Sequence, residues 1–111
     1  MKKNIINFYE MIAGEEGKRF VSERPEHTNN NINIALKAMG FILDDFKMQV
    51  LEMKLKPEVP DMELTEIAEK LNKPYDEVRK AESTAFRIIK HPSRIRLLKE
   101  ILLTTSFTRG E

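Results

Sequence analysis

The chain has 111 residues, 41% of them hydrophobic and 33% charged, and a formal net charge of +1. That length suits one domain, or one domain with an appendage, and the mixture suits amphipathic helices with charged outer faces. The absence of Cys excludes disulfides and thiolate metal sites. No apolar run approaches membrane-spanning length, and Asn4, Asn7 and Glu10 interrupt any signal-like stretch behind Met1-Lys2-Lys3. The expectation is a cytoplasmic protein with no membrane partner.

The net charge conceals an asymmetry. Residues 1–78 carry 11 Lys/Arg and 15 Asp/Glu, whereas residues 79–99 carry seven Lys/Arg against Glu82 alone. A basic segment on an otherwise near-neutral chain is a local footprint for a polyanion, although a charged face is also often just a solvated one.

In chain order, Ile5, Phe8, Tyr9 and Ile12 form one helical stripe over Asn4 to Ile12, with Gly14 and Gly17 as its stop. Arg24-Pro25-Glu26 breaks any helix, and Asn29-Asn30-Asn31 reads as loop and cap. Ile32, Ala35, Leu36 and Met39 restore the stripe. Asp44 or Asp45 caps a helix bearing Phe46, Val50, Met53 and, less clearly, Leu51 and Leu55. Pro57 and Pro60 stiffen residues 56–62.

Glu63 to Leu71 reads as a short helix with Leu64, Ile67, Ala68 and Leu71 inward. Asn72 tolerates the left-handed conformation of a helix end, and Pro74 fixes φ where the next helix starts. That helix spans Tyr75 to Lys90 and buries Val78, Ala81, Ala85, Phe86 and Ile89. Pro92 stops it, and Ser93 caps a last helix with Ile95, Leu98, Ile101 and Leu102 inward. No β-strand and no internal repeat are expected. The class is all-α: a small helical domain with a C-terminal helix-turn-helix over 43–103, a helical N-terminal extension over 1–42, and a flexible tail over 104–111.

Catalysis finds little support. Glu15-Glu16 and Asp44-Asp45 are adjacent pairs whose side chains diverge on a helix. His27 and His91 have no metal-ligand spacing to a neighbour, and no Gly-rich phosphate loop is present. Neither an enzyme nor a cofactor or metal is expected.

DNA binding draws on several signals at once. In a helix-turn-helix the second helix sets its N-terminal residues against base edges in the major groove. The positions here are Tyr75, Asp76, Arg79 and Lys80. Arg79 can fork onto guanine, Lys80 can reach guanine or phosphate, and Asp76 can accept from cytosine or orient Arg79. Tyr75 can pack on a thymine methyl or hydrogen-bond a phosphate. Arg87 and Lys90 suit phosphate or protein contacts. The plain alternative is intrahelical pairing of Asp76 with Lys80 and of Arg79 with Glu82.

Those residues carry a resemblance. Leu64-x-Glu66-Ile67-Ala68, Arg79-x-x-Glu82, Ala85-Phe86-Arg87 and His91-Pro92-Ser93-Arg94 resemble region 4 of the bacterial primary-type sigma factors, and Val50 to Leu55 is similar to the helix preceding that motif. The likeness covers about residues 43–103, and the His-Pro-Ser-Arg tetrad is its most specific part. It implies a module that binds the upstream promoter element through the second helix and the β flap of RNA polymerase through its apolar side. Tyr75 stands where that family usually has Arg, Asp76 where it has Glu, Lys80 where it has Gln, and Pro74 where it has a Ser/Thr cap. Residues 1–42 hold no counterpart of the segment that melts the downstream element.

The expected function is a sigma-region-4-like transcription regulator binding double-stranded promoter DNA, RNA polymerase or both, and not a complete sigma factor. The alternatives are a region-4 mimic that binds the flap or an anti-sigma factor without DNA, and a conventional dimeric helix-turn-helix repressor. The N-terminal stripe suits either core burial or a homodimer.

Overall fold

Every apolar stripe in the sequence is realised as a helix. The computed structural model describes residues 1–105, and within them the chain forms six α-helices and no β-strand. These are α1 (Lys3–Glu23), α2 (Pro25–Met39), α3 (Asp45–Leu55), α4 (Leu64–Leu71), α5 (Tyr75–Ile89) and α6 (Pro92–Leu103). The all-α class expected from the sequence is the observed one.

Three local expectations are corrected. Gly14 ends the first helical stretch as expected, but Gly17 is not part of that stop. Gly14 takes φ 58° and ψ −141°, a non-helical glycine conformation, and a second helical stretch follows it within α1 and runs to Glu23. That stretch returns across the first half of α1: a Cβ on Gly17 would lie 2.2 Å from the Tyr9 carbonyl oxygen. Phe20 stacks on Tyr9, with ring centroids 5.9 Å apart and planes 10° from parallel. One glycine supplies a bend and the other a close approach.

Asn29-Asn30-Asn31 is not a loop. Pro25 takes the first position of α2, where a missing N–H costs nothing, and the helix runs on through the asparagines. Asn31 is fully buried, and its Nδ2 donates to the carbonyls of Leu102 (3.0 Å) and Thr104 (2.7 Å). The Tyr9 hydroxyl donates to the same Leu102 carbonyl at 2.9 Å. Side chains of α1 and α2 thus satisfy the end of α6, whose last carbonyls have no intrahelical partner. The tail expected from residue 104 begins with a carbonyl held in this way, and its part from residue 106 lies outside the described residues.

The last helix starts one residue earlier than its expected Ser93 cap. Pro92 is its first residue, and His91 is the cap: His91 Nδ1 accepts from the Ser93 backbone N–H at 3.3 Å. Asp44 caps α3 as expected, accepting from the Lys47 N–H at 2.9 Å. Hydrogen bonds from the Lys47 side chain and then its backbone hold the Asp44 carboxyl below the usual aspartate range.

The start of α1 is satisfied from a distance. Asp61, in the Pro-rich connector, accepts from the backbone N–H groups of Lys3 (2.6 Å) and Asn4 (3.2 Å). A carboxylate at a helix N-terminus meets both the orphan donors and the positive end of the dipole.

Two apolar clusters result. The larger joins Ile5, Phe8, Tyr9 and Ile12 of α1 to residues of α2, α3, α5 and α6. The N-terminal stripe therefore faces the core, and the 1–42 and 43–103 segments share that cluster. The smaller holds Val50, Met62, Ile67, Ala68, Val78 and Ala81.

Two outcomes are expected. Burial holds the Tyr9 hydroxyl well above its ordinary pKa, a shift that hydrogen bonding with Thr28 and Asn31 only partly opposes. The unfolded chain therefore loses this proton first, so the contribution is complete below about pH 10 and declines as pH rises beyond it. Urea unfolding across that range should show Tyr9→Phe lacking this alkaline loss while costing about 0.5–1.5 kcal/mol at neutral pH. Gly17→Ala forces backbone apart at the α1 bend and should destabilise by about 1–3 kcal/mol, measured by thermal unfolding.

Candidate nucleic-acid interface

The turn from α4 into α5 is built from three residues. Asn72 adopts φ 55° and ψ 48°, the left-handed region. The Lys73 N–H reaches back to the Ala68 carbonyl at 3.0 Å and the Asn72 N–H to that of Glu69 at 3.1 Å. This pair of bonds is a Schellman motif, which satisfies the end of α4. Pro74, at φ −59° and ψ 142°, then leads into Tyr75.

The inward side of α5 serves both clusters: Val78 and Ala81 lie in the smaller, Ala85 and Ile89 in the larger. At 3.6 residues per turn, Tyr75, Asp76, Arg79, Lys80, Ser83, Arg87 and Lys90 fall in a sector of about 140° on the opposite side. All seven are exposed. The six residues singled out from the sequence therefore share one outward face. Ser83 joins them, and its spacing of four from both Arg79 and Arg87 is the signal that identifies it.

Neither intrahelical ion pair of the plain alternative forms. Glu82 pairs instead with Lys54 of α3, and both side chains are largely buried. The Lys54 ammonium also sits over the Phe86 ring, 5.6 Å from its centroid. The physical reason is position. Glu82 lies at the edge of the buried side, where an unpaired carboxylate is costly, whereas Arg79 and Asp76 are hydrated. Phe86, expected in the core, is half-buried at its margin against Phe8.

Among the described residues, Arg79, Lys80, Arg87 and Lys90 form no ion pair. From Arg79 to Lys90 the helix rises about 16 Å, against a major groove about 12 Å wide. A helix of this reach can place its first cations at base edges and its last at flanking phosphates. The first turn carries Asp76 and Glu77, which suit the positive helix end.

His91 and Arg94 hold the corner after α5. His91 caps α6, and the Arg94 guanidinium donates to the Ile88 carbonyl at 3.1 Å, satisfying the end of α5. In this chain the tetrad therefore fixes how α6 leaves α5.

Among the described residues no cluster of His, Asp and Glu could hold a metal ion, and no helix is long and apolar enough to cross a membrane. No known protein family, curated protein or solved structure matches the chain.

Removing one partner of the Lys54–Glu82 pair leaves a largely buried charge unpaired. Lys54→Met should cost about 1–3 kcal/mol, below the fully buried range because solvent still reaches the site. Adding Glu82→Leu should recover part of that loss, as a double-mutant cycle of unfolding free energies will show.

Proposed function

We propose that this chain is a small, cytoplasmic transcription regulator whose α4–turn–α5 unit acts as a sigma-region-4-like helix-turn-helix on promoter DNA, on RNA polymerase, or on both. One observation carries the reading: four cations on the outward face of α5 lack any ion-pair partner among the described residues. With Asp76 unpaired as well and Glu82 drawn to Lys54, the positive charge of that face stays available to a polyanion. Arg79 is the base-reading residue, Lys80 reads a base or a phosphate, and Arg87 and Lys90 contact phosphates.

DNA selected from a random pool, with and without core polymerase, supplies the target. Arg79→Ala should then weaken binding by about 1–3 kcal/mol and relax sequence preference at one position. Lys90→Ala should weaken all duplexes alike and lower the salt slope by about 1. If Arg79→Ala binds the selected duplex as tightly as the parent, the assignment of α5 fails.

A second reading has its own observation. Glu63, Glu66 and Glu69 of the connector and α4 are exposed close to the start of α5, and Tyr75 replaces a basic residue of the pattern it resembles. These features favour a module that binds the polymerase flap or an anti-sigma factor and leaves DNA alone. Capture of polymerase without retardation of any selected duplex is the outcome that separates it from the first.

A further inference from the structure

Residues 56–61 join α3 to α4 and have little apolar hold of their own. Leu55 before them and Met62 after them are buried, but none of the residues between is. Of these, Val59 alone packs against a cluster, the smaller one. Pro57 and Pro60 narrow the shapes this strap can take without fixing it to anything.

The first turn of α1 is what holds the strap. At one end the Lys2 ammonium donates to the Lys56 carbonyl at 2.9 Å. At the other, Asp61 accepts from the Lys3 and Asn4 backbone N–H groups, and the Asn4 side-chain amide donates to the Met62 carbonyl at 3.2 Å. The donors are three consecutive residues, none of them buried, that precede the fully buried Ile5. The element beyond the strap needs this support. α4 has eight residues and buries only Ile67 and Ala68, and a helix well short of about 12–15 residues does not hold by itself in water. Met62, directly before its cap Glu63, lies in the smaller cluster with them. A recess of about 280 Å³ brings Asn4, Glu63, Thr65 and Tyr75 together, so the starts of α1, α4 and α5 meet at one place.

We infer that the first turn of α1 is a latch on the strap, and that Asn4 and Asp61 are positioning residues for α4. Closed, the latch holds Met62 in the smaller cluster and α4 against α5. Open, it frees the strap and α4, while α1 from Ile5 onward stays packed in the larger cluster. Opening is a local event. It breaks polar contacts that water can replace and exposes Met62, Ile67 and Ala68, but it leaves the larger cluster whole. The latch does not depend on whether α5 binds DNA.

Amide hydrogen exchange of the full chain, resolved residue by residue at neutral pH, reads the two kinds of opening separately. The N–H groups of Ile67, Asn72 and Lys73, bonded to the carbonyls of Glu63, Glu69 and Ala68, report on α4. They should exchange faster than the slowest amides of α6. Asp61→Ala should speed them about tenfold, the effect of losing charge-assisted bonds. Tyr9→Phe should speed the slowest amides of α6 and leave the α4 amides at parent rates, because the Tyr9–Leu102 bond persists when the latch opens. If Asp61→Ala leaves the α4 amides unchanged, Asp61 only caps α1. If Tyr9→Phe speeds them as much as it speeds α6, α4 opens only with the whole fold. Either result overturns the latch.

Discussion

The inward line of α5 fixes most of what the outward face can do. Val78 and Ala81 pack into one cluster and Ala85 and Ile89 into the other, so a single helix is shared by both halves of the core. A helix gripped along its length by two clusters cannot roll. Fully burying a Val or Ile is worth about 1.5–3 kcal/mol, and a roll of one residue would expose such a side chain at each end. The Lys54–Glu82 pair adds a polar stop at the edge of that line. The direction of Arg79 and its neighbours is therefore a consequence of core packing rather than of any contact those cations make.

The helices were legible because their signals are local. Periods of three and four residues mark the stripes, Asp44 sits where a cap belongs, and Asn72 followed by Pro74 marks a break whose geometry only a few residue types tolerate. The outward face of α5 was legible for the same reason, since helical spacing alone places Tyr75 to Lys90 on one side. What lay beyond reach depends on residues far apart in sequence. Asn31 looks like a loop residue until Leu102 and Thr104 arrive to accept its protons. Gly17 looks like a stop until Tyr9 lies against it. Glu82 looks like the partner of Arg79 until Lys54 appears 28 positions upstream.

The proposed DNA contact makes its own demand on the chain: charge without partners on the outward face of α5. That is a departure from what folding alone favours, since a fold gains nothing from an unpaired cation. The inward line of the same helix serves both clusters, whereas its outward cations serve neither, and that contrast is what makes them informative.

The caps of the outermost helices also set an order of assembly. The α4–α5 turn closes through bonds spanning five residues or fewer, so it can form from its own sequence. The end of α6 is different: its acceptor Leu102 finds Asn31 and Tyr9 at separations of 71 and 93 residues. The start of α1 waits similarly for Asp61. Contacts of long sequence separation require loop closure first, and they slow folding accordingly. The α4–α5 pair is thus placed to organise early, whereas the start of α1 and the end of α6 are each fastened by a part of the molecule that must already be in position.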